Sequence, residues 1–224
     1  MSLTAIGRLI RKGALLTWDS FWMVWLAEIF WLLLCLPVVT IPLAFTGLHF
    51  SMTAVARGDT TTWHTFFRGI RQYWQAGLRW SAANALVIFV LGFYTWFFSA
   101  QGNAAGQVSL NALLGAVAAW LLLAWLVLNF TTFPLMLMQV KPGYFQALRN
   151  SVALFLKWPG GSLVFALLNL AIIALSLWLR FPWLLFGASL PALMSALLAA
   201  DRVEALTAGD RKSTRLNSSH VSES

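Results

Sequence analysis

Long apolar runs constrain the fold of this chain more than any other feature of its sequence. A helix needs about 20 apolar residues to cross the roughly 30 Å hydrocarbon core of a bilayer. Four stretches meet that requirement: residues 80–100, 108–140, 161–179 and 182–200. Backbone groups must be paired within lipid, and these runs are too long for barrel strands of about ten residues. The sequence therefore predicts an all-α, polytopic transmembrane helical bundle.

The composition places the chain in a bilayer rather than in water. Apolar residues make up 60% of it and charged residues only 10%, whereas roughly a quarter of a soluble domain is charged. A length of 224 residues gives room for one bundle, so we assign residues 1–209 to a single membrane domain. The formal net charge of +8 indicates Lys and Arg gathered in cytoplasmic loops. It does not indicate a nucleic-acid partner, because no basic soluble module accompanies it.

The first apolar region, residues 20–56, is too long for one ordinary span and contains two prolines. Pro37 and Pro42 each lack a backbone donor and restrict the residue before them, so the helix ends or kinks there. The region is then either one long kinked helix, which gives five spans in all, or a pair of short segments forming a hairpin at the prolines.

Two amphipathic stretches lie between apolar runs, and we name them the first elbow (residues 63–79) and the second elbow (residues 144–157). Each has an aromatic face and a basic face at helical spacing. Such helices lie in the membrane interface with the basic face toward anionic headgroups. The basic residues are Arg68, Arg71 and Arg79 in the first elbow and Arg149 and Lys157 in the second. An N-terminal stretch with Ile6 and Ile10 on its apolar face is a third candidate.

The two elbows resemble each other in sequence. Phe66 and Phe67 align with Tyr144 and Phe145, and a Thr-x-Pro-Leu element precedes each elbow. Duplicated units are common in membrane proteins. The pattern predicts two repeat-like halves followed by a final span, at about residues 20–100, 108–179 and 182–200.

The basic residues also predict the orientation of the chain. The positive-inside rule places both elbows in the cytoplasm and the uncharged loop 101–107 outside. The basic N-terminus belongs inside as well, which requires the first apolar region to enter the membrane and return. The repeat favours the opposite interpretation, because run 108–140 has the length of a single long helix.

A few polar residues within the apolar runs are candidates for an intramembrane site. Glu28 is the only acidic residue deep in such a run, and a buried carboxylate is costly in lipid unless it is neutralised or paired. It is either hydrogen-bonded to a neighbouring helix or a site for a substrate or proton. The further candidates are His49, Asn84, Asn129 and Asn169. The asparagines either bond between helices or form a polar pathway.

The sequence contains none of the motifs of catalysis or metal binding that we sought. It has no P-loop, no nucleophile elbow and no metal-ligand spacing among its His, Cys and Asp residues. We therefore expect no catalytic residues, no metal, no cofactor and no enzymatic activity.

The last apolar run has a stripe of small residues four positions apart. Such a stripe permits close approach of another helix, either within the chain or in a second copy of a homo-oligomer. The stripe comprises Ala188, Ala192, Ala196 and Ala200.

The C-terminal segment does not have the character of the membrane domain. Its sequence DRKSTRLNSSH, residues 210–220, resembles the translation of a common sequencing adapter. We expect residues 210–224 to be non-native and exclude them from functional argument.

One part of the sequence resembles a known family. Residues 36–43 (LPVVTIPL) and the later Thr65-Phe-Phe-Arg-Gly-Ile-Arg segment resemble the YesL-like family of bacterial multi-pass membrane proteins, a domain of unknown function. The resemblance covers roughly residues 15–204, although Ile41-Pro42 stands where the family has a Gly-Pro-like turn. It implies a bacterial inner (plasma) membrane protein, with a link to carbohydrate uptake.

These features lead to two expectations of function. The first is a non-enzymatic accessory or scaffold protein, whose partners are the lipid bilayer and a carbohydrate importer or other membrane protein. The alternative is a small solute or proton transporter or channel that uses Glu28.

Overall fold

The computed structural model describes residues 3–102, 110–139, 142–179 and 186–221, and all regular elements in these ranges are helical. A 3-10 turn, Val38–Thr40, separates the second and third α-helices. The eight α-helices named here are α1 (Leu3–Asp19), α2 (Phe21–Cys35), α3 (Ile41–Arg57), α4 (Trp63–Gly102), α5 (Leu110–Leu137), α6 (Tyr144–Lys157), α7 (Pro159–Leu179) and α8 (Ser189–Val221).

Four helical segments are long and apolar enough to cross a membrane, which confirms the predicted class of helical membrane protein. These segments are Val38–Arg57, Trp63–Ala100, Leu110–Leu137 and Pro159–Ser176. The number rises to five if α1 and α2, which meet at a bend of 85°, form one broken span.

The predicted final span, residues 182–200, is not among these candidates. Residues 182–185 lie outside the described ranges, and α8 begins at Ser189. Its apolar part is soon followed by Asp201 and Arg202, which lower its mean hydropathy.

The break predicted at the two prolines is present, and the helices on either side pack as an antiparallel hairpin. Near the turn, the rings of Trp31 and Phe45 lie 5.7 Å apart between centroids. At the far end, Met23 of α2 and Val55 of α3 line the same crevice. This geometry matches the paired-segment interpretation rather than one long kinked helix. Thr40 closes the turn by donating its hydroxyl to Pro37 O at 2.7 Å.

The first elbow is not a separate helix, contrary to the prediction. It continues into the following span as α4, a helix of 40 residues whose length is about 60 Å at 1.5 Å per residue. The second elbow is separate: α6 ends at Lys157, and the next residue, Trp158, has a φ of −138° and a ψ of 62°, outside the helical region. Pro159 explains the difference, because it disfavours helical geometry at the preceding residue, whereas Ser81 follows the aligned Trp80.

Close packing of α3 on α4 depends on glycines. A Cβ at Gly69 would lie 2.6 Å from Phe50 Cβ, and one at Gly47 would lie 2.8 Å from the Phe66 ring. A Cβ at Gly77 would overlap the hydroxyl oxygen of Thr46. At these positions side chains of one helix lie against the backbone of the other, and only glycine leaves room for them. These contacts hold the first elbow along α3.

The apolar part of α8 forms the centre of the bundle. Residues 191–199 are all buried, and α1 packs on them through Ile6, Leu9 and Gly13. Ile10, on the predicted apolar face of α1, is 40% exposed and does not join this contact. Ala192 and Ala196 of the small-residue stripe are buried among the other helices, so the stripe packs within the chain.

Candidate intramembrane polar site

Glu28 is bound to the beginning of α8. Its side chain is fully buried, and Glu28 Oε2 accepts a hydrogen bond of 2.7 Å from the backbone N–H of Ser189. Glu28 Oε1 accepts a second bond, of 3.0 Å, from the backbone N–H of Ala188. The first N–H groups of a helix have no partner within it and favour negative charge. Glu28 therefore caps α8 from another helix.

This geometry is that of the hydrogen-bonded alternative for Glu28. The sequence indicated that Glu28 needs a hydrogen-bonding partner, since a buried carboxylate is costly. It did not indicate which groups would be the partner. The partners lie 160 residues away and are backbone N–H groups. Every residue except proline has such a group, so the residue type does not identify them.

His49 lies close to this cap. Its ring packs edge-on against Phe133, with centroids 5.0 Å apart, and among the described residues its buried Nδ1 has no hydrogen-bond partner. His49 lines a cavity of about 160 Å³ together with Ala188 and Ser195. The wall of this cavity thus includes the residue whose N–H binds Glu28.

Asn169 lines a second crevice farther along α8, together with Ser195 and Arg202. Its amide group donates to Phe165 O at 3.0 Å. Asn169 Oδ1 and Ser195 Oγ are buried and have no hydrogen-bond partner within the described ranges. Ser195 lines both spaces, so buried polar groups follow one another from Glu28 toward Arg202.

The other two asparagines do not join this group, since neither lines the two spaces. Asn84 Oδ1 accepts a hydrogen bond of 2.9 Å from Trp125 Nε1 across α4 and α5. Asn129 instead donates to Trp125 O within its own helix. The predicted set of five polar residues is therefore divided: Glu28, His49 and Asn169 surround the inner part of α8, and Asn84 and Asn129 belong to α4 and α5.

The basic end of the bundle includes a cation that the sequence analysis did not select. Arg202 is buried, its guanidinium carbon lies 4.6 Å from the centre of the Trp158 ring, and Lys157 Nζ lies 4.9 Å from the same centre. Burial lowers the pKa of Arg202, and Asp201 opposes that shift. Nothing in the local sequence around Arg202 indicated this contact, because Trp158 lies on a distant part of the chain.

The predicted basic residues lie at the surface. Arg68, with its guanidinium carbon 5.7 Å from the centre of the Phe50 ring, is the one that also stacks on an aromatic side chain of α3. All are exposed, as expected for residues that face headgroups or water, and they are Arg68, Arg71, Arg79, Arg149 and Lys157.

No group of three or more His, Cys, Asp or Glu side chains that could hold a metal ion occurs in the part of the chain that the structure describes. Comparison with protein-family models, curated proteins and solved structures found no match to this chain.

Proposed function

We propose that this chain is a non-enzymatic accessory or scaffold protein of the bacterial inner membrane. Its polar interior supports the proposal, because the one deep carboxylate, Glu28, is used to fix α8 in place. A site for turnover would need a reactive group left available to a substrate. The proposed link to carbohydrate uptake rests on the resemblance to the YesL-like family.

The observation that carries the proposal is the apolar outer surface of α4 and α5. Phe89 is 72% exposed, Trp96 is 67% exposed and Trp120 of α5 is 70% exposed. Exposed apolar side chains on membrane-spanning helices contact lipid or another transmembrane helix. They give an accessory protein a lateral face on which a membrane partner can dock.

Photo-crosslinking tests this docking surface directly. A photoreactive amino acid at Trp96 or Trp120 is expected to give an adduct with a distinct membrane protein in cells. The matched control is Ala118, which is buried beside α4 and 7% exposed, and should give no intermolecular adduct. Lipid adducts alone at both exposed positions, with a monomer recovered in several mild detergents, would contradict the proposal.

The proposed orientation places both elbows in the cytoplasm. Cysteines substituted for the exposed Arg71 and Arg149 are expected to resist a membrane-impermeant thiol reagent applied from outside. Cysteines in the segment 103–107 are expected to react. Cysteine substituted for Arg8 reports the side of the N-terminus, which we propose to be cytoplasmic.

A small transporter or channel is the second candidate, and the space beside His49 supports it. His49 Nδ1 and Ser195 Oγ are buried and have no hydrogen-bond partner among the described residues. Both residues line a cavity next to the N–H group that binds Glu28. In reconstituted vesicles, a solute or proton flux should fall in Glu28→Gln and persist in the surface control Glu204→Gln. Absence of flux for sugars, ions and protons would eliminate this candidate.

A further inference from the structure

We propose that a groove between α4 and the beginning of α6 binds a phosphate group, either of an anionic lipid headgroup or of a free phosphate. The groove has a volume of about 530 Å³, within the range of roughly 300–1,000 Å³ typical of ligand sites. It is distinct from the spaces around His49 and Asn169, and it lies where both elbows meet. The proposed scaffold function does not require it.

The chemistry of the groove favours an anion. Its charged residue is Arg79, a guanidinium with planar donors that match phosphate oxygens. Three side-chain amides, those of Gln72, Gln75 and Gln146, add neutral donors around it. No carboxylate is among the described residues that line the groove, so the formal charge presented to a ligand is positive.

The remaining wall of the groove is apolar, which suits a ligand with a charged head and an apolar body. Ala76, Ala83 and Met136 form part of it, and Phe145 at its edge is 82% exposed. An exposed aromatic residue beside cations is typical of the membrane interface. A phospholipid could place its phosphate at Arg79 and its glycerol and upper chains against these side chains.

Gly143 and Tyr144, where α6 begins, form part of the groove wall. Gln139 Oε1 accepts a hydrogen bond of 3.1 Å from the backbone N–H of Gly143, which fixes the entry to the helix. The Tyr144 hydroxyl and Gln139 Nε2 are buried without hydrogen-bond partners in the described ranges. Of these two residues Tyr144 lines the groove, so its hydroxyl has unused hydrogen-bonding capacity beside the exposed donors.

The test is a binding titration of the full chain in neutral detergent. The probes are short-chain phosphatidylglycerol, short-chain phosphatidylcholine and inorganic phosphate, with affinity followed by native mass spectrometry and tryptophan fluorescence. Wild-type protein should bind phosphatidylglycerol more tightly than phosphatidylcholine. If inorganic phosphate competes with the lipid, the free anion is sufficient for binding. If it does not compete, the phosphate group that binds belongs to the lipid.

Two variants locate the binding at the groove. Arg79→Gln should weaken phosphatidylglycerol binding by about tenfold, as expected for the loss of one charge-assisted contact. Arg149→Gln removes an exposed charge from α6 outside the groove and should change affinity less than twofold. Gln75→Glu places a negative charge in the groove and should also weaken phosphatidylglycerol binding. It replaces Arg79→Gln as the test variant if Arg79→Gln fails to fold.

The proposal is overturned if wild type shows no preference for the anionic lipid, or if Arg79→Gln and Arg149→Gln weaken binding equally. Neither result affects the proposed scaffold function, whose test is the crosslinking at Trp96 and Trp120. The two proposals can therefore fail separately.

Discussion

Trp125 of α5 donates its indole N–H to Asn84 Oδ1 of α4 at 2.9 Å, and Asn84 in turn donates to Trp80 O at 2.9 Å. The asparagine thus joins two long apolar helices and uses both ends of its amide group. It is buried, with 6% of its surface exposed, in a part of α4 whose other side chains are mostly apolar.

Removal of this interhelical bond is expected to destabilise the α4–α5 pair. Asn84→Leu and Trp125→Phe should each lower the free energy of unfolding by about 0.6–2 kcal/mol, the range of such bonds in membranes. The double variant should cost less than the sum, because both substitutions remove the same bond. Unfolding by SDS in mixed micelles measures these values. Asn129→Leu, whose amide bonds within its own helix, is the control and should cost less.

Substitution of Glu28 is expected to loosen the beginning of α8. Glu28→Gln replaces one accepting oxygen with an amide nitrogen, so one backbone N–H loses its partner at a cost of about 1–3 kcal/mol. Glu28→Ala leaves both N–H groups without a partner and should cost more. The measurement is the free energy of unfolding, with hydrogen exchange at residues 188 and 189 as a local report.

The control for Glu28 is Glu204→Ala, which changes an exposed carboxylate on the same helix as Ser189. It should leave both measurements near those of the wild type. Equal losses for Glu28→Ala and Glu204→Ala would show that the cap contributes nothing to stability.

Two glycines of α4 are expected to respond in opposite directions to alanine. A Cβ at Gly77 overlaps the Thr46 hydroxyl, so Gly77→Ala should cost about 1–3 kcal/mol through overpacking. A Cβ at Gly92 has no atom within 4 Å, so Gly92→Ala should gain up to about 1 kcal/mol from helix propensity. Thermal unfolding in detergent distinguishes the two. A gain for Gly77→Ala would mean that α3 and α4 do not approach as closely as described.

The phenol of Tyr144 is expected to make stability depend on alkaline pH. Burial raises the pKa of Tyr144 above its ordinary value, so the folded state retains a proton that the unfolded state releases first. The contribution is present below about pH 10 and is lost as the pH rises through the folded pKa. Wild type should therefore lose more stability across this range than Tyr144→Phe. Identical alkaline profiles of unfolding for the two proteins would refute the prediction.

Removal of the C-terminal segment is expected to leave the bundle intact. The buried residues described in α8 end at Arg202, well before residue 210. A chain ending at residue 209 should unfold within about 0.5 kcal/mol of the full chain, as for changes away from packed features. A loss of more than about 2 kcal/mol would show that the segment belongs to the fold and would contradict its assignment as adapter translation.

The helical membrane class could be predicted from the sequence because apolar run length depends only on local composition. The break near Pro37 was predicted for the same kind of reason, since proline acts on its immediate neighbours. The continuity of α4 was not predicted. Amphipathic character at residues 63–79 indicates a surface helix but does not say whether the helix stops. Ser81, and not a proline, directly follows Trp80, so the helix continues.

The candidate site could be predicted residue by residue but not as an arrangement. Glu28 and His49 were selected because ionisable groups are costly in apolar runs. Their grouping around Ala188 and Ser195 depends on how distant helices pack, which periodicity within each helix does not encode. Arg202 was not selected for the same reason, because only the packing of distant helices brings it to Trp158.

The cap on α8 also imposes an order on biosynthesis. Ribosomes release α2 early, and 160 residues of chain follow before the N–H groups that bind Glu28 exist. Throughout that interval the two N–H groups that bind the carboxylate in the folded chain are not available to it, and an unpaired carboxylate is costly deep in the membrane. Arrival of Ser189 removes this cost, so the last helix to be made completes the placement of one of the first. A nascent chain interrupted before that point would leave Glu28 without the backbone N–H groups that bind it in the complete bundle.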